Sequence, residues 1–158
     1  MILPIVAYGH PVLRKLTRDI SPDYPKLDKL VADMWETMYA SNGVGLAAPQ
    51  VNKDIRLFVV DTEQMFRGMN EEEKAEYPGE EGIKAVFINA HINKLDGDEW
   101  EYNEGCLSIP KIREDIYRQE TVTLRYCDEQ FTEHTQSFTG LTARVILHEY
   151  DHIEGKLF

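Results

Sequence analysis

The sequence predicts an α+β fold, with antiparallel or mixed β-sheets around a C-terminal helix and one further amphipathic helix near the N-terminus. Three observations carry this. Apolar residues recur at helical spacing from Leu27 to Met38, short β-rich runs occupy the middle of the chain, and helical spacing returns from Leu141 to Ile153. With 158 residues the chain has the size of one domain, and 1–158 is read as a single unit.

The first helix follows Pro22 and Pro25. Leu27, Leu30, Val31, Met34, Trp35 and Met38 fall at intervals of three and four and so share a face. Asp28, Lys29, Asp33 and Glu36 lie opposite, and Ser41-Asn42-Gly43 supplies the stop. Ile55 to Val60, bounded by Asp54 and Asp61, reads as a strand, and Ala85 to Ile92 as a second. Between them, Arg67 to Gly82 is acidic, Gly-bearing and aperiodic, which predicts a surface insertion without chemistry. Thr121 to Tyr126 alternates like a strand with one wet face and forms a hairpin with Thr132 to Phe138 around the Asp128-Glu129-Gln130 turn. In the last helix Leu141, Val145, His148 and His152 share a face.

Composition excludes several classes. Seventeen basic against 28 acidic residues leave a net charge of −11, the wrong sign for a phosphate-seeking surface, so no nucleic-acid partner is expected. No apolar run has bilayer length, so no membrane partner is expected either. Met1 to Ala7 is apolar but short and Pro-interrupted, with its first positive charges after it, the reverse of a secretory signal; a cytoplasmic location is expected. Cys106 and Cys127 are too few for a disulfide framework.

The strongest local signal is His148-Glu149-Tyr150-Asp151-His152. Histidines four apart project one helical turn apart, where both imidazoles reach one metal ion, making the C-terminal helix a metal-binding helix. Glu149 then stands beside the metal and can take a proton from a water that the metal acidifies. The bland alternative is a polar helix face with two exposed histidines. The long protease signature H-E-x-x-H-x-x-G-x-x-H matches at Gly155 but has Phe158 where the third histidine belongs, and only six residues follow His152, so a third ligand must come from upstream. The candidates are His10, His91, His134, the carboxylates and the two cysteines, among which a thiolate is the best soft ligand. Cys106 has the more telling setting, between Glu104-Gly105 and Leu107-Ser108-Ile109-Pro110, where a bulge can hold a ligand. Cys127 ends an alternating strand and reads as a small packing residue.

Gly43-Val44-Gly45-Leu46-Ala47-Ala48-Pro49-Gln50 formally fits a dinucleotide fingerprint, but the element order is inverted: a helix precedes it and a strand follows. Alternating glycines suit an extended stretch with which a substrate backbone can pair, and Gln50 offers an amide donor.

Together these three segments, in this order, resemble the Gly-x-Gly-Leu-Ala-Ala-x-Gln, Glu-Gly-Cys-Leu-Ser and His-Glu-x-x-His motifs of the peptide deformylases. The likeness extends from Tyr8-Gly9-His10-Pro11-Val12-Leu13-Arg14 to the Gly140–Phe158 stretch. It implies a hydrolase that removes the formyl group from N-formylmethionine of newly made polypeptides, a step of N-terminal processing in protein biosynthesis. Carried over, Cys106, His148 and His152 would be the metal ligands, and Glu149 the general acid/base for attack of metal-activated water on the formyl carbon. Gln50 and the Leu107 N–H would be oxyanion donors. Gly45 would pair with substrate backbone, Val44, Leu141 and Val145 would help line the methionine pocket, and Glu104 and Arg118 would form a supporting ion pair. The resemblance implies one divalent metal per chain, Fe2+ in the native state with Zn2+, Ni2+ or Co2+ as replacements. It implies N-formylmethionyl peptides as ligands and the ribosome near its exit tunnel as a partner; a monomer is expected. Leu147 stands where many members have Gln, Ile153 replaces a common Leu, and most members continue beyond the position of Phe158. Two other classes are weighed against this one, a metallopeptidase of another class and a non-catalytic metal- or peptide-binding relative. Glu149 speaks against the latter, since a pure binder needs no general base.

Overall fold

The apolar stripe beginning at Leu27 forms α1 (Leu27–Ala40) in a computed structural model that describes residues 1–157, those at 109–112 by backbone alone; Phe158 lies outside the described residues. The stop at Ser41-Asn42-Gly43 works through Asn42, which takes the left-handed conformation (φ 58°). The N–H groups of Asn42 and Gly43 then return to the carbonyls of Tyr39 and Met38, at 3.1 and 2.9 Å, satisfying two carbonyls of the last turn. One expectation for α1 is corrected: Asp33 is buried rather than on the wet face, its carboxylate accepting from Lys29 Nζ at 2.8 Å.

A five-stranded sheet follows in simple sequence order: β1 (Gly45–Ala47), β2 (Leu57–Asp61), β3 (Lys84–Cys106), β4 (Ile109–Cys127) and β5 (Glu133–Thr139). Every pairing between neighbours is antiparallel. The hairpin expected around Asp128 is β4–β5, with Val122 opposite Phe138. Two strands differ from the expectation. Ile55 precedes β2 and instead bridges Arg18, and β3 continues well past Ile92. The extension is polar and half-exposed on both faces, so it lacks the apolar alternation that marks a strand. Backbone pairing with β4, such as Trp100 opposite Arg118 and Glu104 opposite Glu114, defines it instead, with irregularities in register between Asp96 and Glu99 and again at Gly105 and Cys106.

A short helix, α2 (Glu63–Arg67), ends where the stretch expected to be an aperiodic insertion begins, and a second, α3 (Glu71–Ala75), lies within it. The second is closed by a reciprocal pair of bonds between Asn70 and Glu73, a local cap that the Asn-x-x-Glu spacing encodes.

Successive residues of β2 serve opposite faces, and both faces are covered. Phe58 and Val60 join Phe87, Leu124 and Phe138 against α4 (Gly140–Ile153), while Leu57 and Val59 join Val86 and Ile88 against α1. Each large side chain buried this way contributes about 1.5–3 kcal/mol of transfer free energy. Arg56 fastens the far end of α4: it donates twice to Ala90 O, pairs with Glu154 at 2.8 Å and lies over the Tyr150 ring.

Candidate active site

The helical spacing of His148 and His152 does what the sequence predicts, because α4 turns both rings to the sheet, with ring centroids 5.0 Å apart. Cys106 arrives at the end of β3, where the register breaks. Its Sγ lies 3.4 Å from His152 Nε2. One ligand atom from each of Cys106, His148 and His152 falls within 4.8 Å of the others, and all three residues are buried. A thiolate and two imidazoles form a donor set suited to zinc or ferrous iron, so the residues present fit a divalent metal. His10, His91 and His134 are elsewhere: His10 caps the short turn Pro11–Arg14 through the Val12 N–H, while His91 and His134 lie against Asp19 and Asp128. Cys127 sits in β4, half-buried, and burial raises its thiol pKa.

Glu104 organises the ligand on its side. His148 Nδ1 donates to Glu104 Oε1 at 2.8 Å, which fixes the ring and turns its opposite nitrogen to the cluster. Arg118 grips the same carboxylate with two donors, at 2.7 and 2.9 Å. Burial opposes ionisation of Glu104, yet the bonds from His148 and Arg118, with the charge of Arg118 and a bond from Arg144, hold its pKa down at about 2. Arg144 is a participant that the sequence reading missed. It pairs with Glu104 Oε2 at 2.8 Å, donates to Ile116 O and Trp100 O, and is almost wholly buried under the Trp100 ring. Its signal was available: Arg144 stands four residues before His148, a charge on the apolar face of α4. Asp151, a second partner of Arg118 at 2.7 Å, was missed as well.

Gln50 is held by its own backbone. The Ala47 N–H donates to Oε1 at 2.9 Å, so the amide NH2 is aimed the other way, 3.6 Å from Cys106 Sγ and 3.4 Å from Ser108 Oγ. The segment before it is strand β1, at the edge of the sheet. Val44 O accepts from the Asp61 N–H of β2, and by the alternation of an antiparallel ladder the peptide groups of Gly45 face the open edge. On the face of β1 where a Gly45 side chain would project lies Glu149, buried, with Oε1 bonded to nothing among the described residues. Burial lifts its pKa to about 7, a value suited to taking and returning a proton near neutrality.

These groups surround one cleft of about 480 Å³. Val44, Gly45, Gln50, Glu104, Cys106, Leu107, Val145, His148 and Glu149 line it, as do Met65 and Arg144, which sequence reasoning did not name. His152 and Leu141, both buried, and Arg118, half-buried, are not part of the lining.

Buried thiol, paired imidazoles and a carboxyl poised near neutrality describe a metallohydrolase, and comparison with known proteins narrows it. Residues 2–158 match the family model described as polypeptide deformylase. The chain belongs to that family. It is 58% identical over its whole length to the peptide deformylase of Flavobacterium johnsoniae, covering 80% of that protein, and 52% identical to that of Christiangramia forsetii with the same coverage. Among solved structures, a class I type b peptide deformylase from Acinetobacter baumannii superposes with a TM-score of 0.86 at 30% identity, covering 100% of this chain and 97% of that one. The Synechococcus elongatus peptide deformylase bound to actinonin superposes at 0.85 with 35% identity, covering 99% of this chain and 78% of that one. Peptide deformylases are metal-dependent hydrolases, and the Cys106/His148/His152 cluster could hold a metal ion.

Proposed function

We propose that this chain removes the formyl group from N-formylmethionyl peptides, working as one catalytic domain over 1–158. The observation that carries the reading is the convergence of Cys106, His148 and His152 on one point in a cleft that also holds the buried, raised-pKa carboxyl of Glu149. Cys106, His148 and His152 would hold one divalent ion, which when bound supplies Lewis acidity, polarising the formyl carbonyl and acidifying water. Glu149 takes the proton as water adds to the formyl carbon, and delivers it to the departing amine. Charge developing on the formyl oxygen is met by the Gln50 amide, whose NH2 the Ala47 bond has already oriented, and by the Leu107 N–H. The products are formate and a free amino terminus.

Gly45 pairs with the peptide backbone at the open edge of β1, while Val44, Leu141 and Val145 shape the receptacle for the methionine side chain, apolar and suited to a flexible thioether. Glu104 with Arg118 keeps His148 in place. Fe2+ is proposed as the native ion, with Zn2+, Ni2+ and Co2+ as substitutes, all compatible with one thiolate and two imidazoles. Nascent chains as substrates place the enzyme in the cytoplasm, working as a monomer near the ribosomal exit tunnel. No helix among the described residues is long and apolar enough to cross a membrane.

The deciding experiment is formate release from formyl-Met peptides by anaerobically handled protein, alongside unformylated and acetylated controls. Release from formyl-Met alone supports the reading; cleavage of internal amides in unformylated peptides would replace it with a metallopeptidase.

A further inference from the structure

The helix that carries His148, Glu149 and His152 lacks a cap of its own. Thr139 occupies the cap position, but its hydroxyl makes no bond to the first turn of α4; it bonds to Glu120 O and Thr121 Oγ1 instead. No acidic residue lies in that first turn. The Leu141 N–H, one of the donors a helix start leaves unsatisfied, is taken by Glu80 Oε1 at 2.9 Å, from 61 residues away in sequence. Gly140 makes the approach possible, because a Cβ there would collide with both carboxylate oxygens, and its left-handed φ of 64° suits glycine.

Glu80 belongs to the segment between β2 and β3, and that segment grips the cleft at further points. Thr62 Oγ1 lies 2.9 Å from Thr142 Oγ1, both buried, and Gln64 Nε2 donates to Gly43 O at 2.9 Å. Met65 lines the cleft together with Val145 of α4 and packs against the apolar cluster to which Val145 belongs. The segment is itself closed by the Thr62–Ile83 bonds and by Phe66 packed edge-on to Tyr77.

We propose that Glu80 is a positioning residue for the pocket that receives the first side chain of the substrate: by capping α4 from outside, it fixes the first turn of the helix, and with it Val145, relative to Met65. The proposal rests on the deformylase reading above. It assigns a specificity role to a segment whose sequence suggested none. Glu80 touches neither substrate nor reacting atoms, so its effect falls on binding and selectivity, with the proton transfers at Glu149 unaffected.

The test compares Glu80→Ala, Glu80→Gln and the control Glu73→Ala, which sits on the same segment away from α4. Glu80→Ala should raise KM for a formyl-Met peptide roughly three- to tenfold, the effect of losing one helix cap, and narrow the preference for formyl-Met over formyl-Ala peptides, with kcat little changed. Glu80→Gln keeps an acceptor oxygen and should recover most of the loss, and Glu73→Ala should match wild type. Hydrogen exchange at the Leu141 amide gives a readout independent of turnover and should quicken in Glu80→Ala only. A fall in kcat at constant KM, unchanged selectivity, or unchanged Leu141 exchange would each overturn the proposal. If the wild type releases no formate, the reaction reading fails, and Leu141 exchange alone then decides whether Glu80 holds the turn.

Discussion

Gly45 and Glu149 are in contact: a Cβ at position 45 would lie 2.6 Å from Glu149 Oε2 and 2.9 Å from its Cδ. The carboxyl lies against β1 because that strand has no side chain there. Gly45→Ala should therefore displace Glu149 while leaving the sheet intact. About a hundredfold loss in kcat/KM is expected, as for an ångström-scale misplacement of a reacting group. Circular dichroism should be unchanged, and a near-wild-type rate would show that Glu149 has room to spare.

Glu149→Gln preserves shape and removes the base. The variant should bind metal as the wild type does and lose roughly 10²- to 10⁴-fold in kcat, the usual contribution of a positioned general base. Retained turnover in a metal-replete sample would take the proton-transfer role away from Glu149.

Metal content distinguishes the two cysteines. Cys106→Ala removes one of the three proposed ligands and should empty the site, as should chelation of the wild type, whereas Cys127→Ala should stay fully loaded. Elemental analysis decides, and a loaded Cys106 variant would refute the ligand set.

Glu104 is a counter-charge for Arg118, which is half-buried, and for Arg144, which is buried. Glu104→Ala leaves Arg144 without its carboxylate partner, leaves Arg118 with Asp151 alone, and removes one partner of His148. A loss of about 3–5 kcal/mol in urea denaturation is expected, the cost of stranding buried charge. A loss within the scatter of surface substitutions would mean that water reaches the two guanidinium groups.

Tyr39 offers a pH signature away from the site. Burial, then its bond to the Asp61 carboxylate, pushes the phenol to about 12 from the ordinary 10. Since the folded value is the higher, the stabilisation is complete below pH 10 and disappears as pH rises through about 12. Tyr77, Tyr117 and Tyr126 are raised as well, so absorbance titration should show a group of late phenols that loses one, at the high-pH end, in Tyr39→Phe; an unchanged late step in the variant would place that phenol elsewhere.

What the sequence reveals and what it hides divides along physical lines. The stripe from Leu27 to Met38 and the His148/His152 spacing are legible because helical periodicity is local, and the strands near Val59 and Leu124 because burial enforces an apolar pattern. The outer half of β3 is not legible, since it is paired through backbone groups that carry no side-chain signature. Asp33 and Arg144 look like solvent residues by type, and only tertiary partners explain their burial. Of the sequence-named groups, Cys106, His148, Glu149 and Gln50 are legible because each sits in a short motif, while their convergence in space is the work of the tertiary fold. Glu80 acts across 61 residues, and no window of sequence connects it to Leu141.

The proposed ligands are split between the end of β3 and the last helix, with Cys106 46 residues before His152. No partial fold that lacks a docked α4 holds all three. An ion held by the proposed ligands would therefore tie helix to sheet, and its binding free energy would add to the free energy of docking. The centre proposed for the chemistry would in that way also latch the last helix to the rest of the fold.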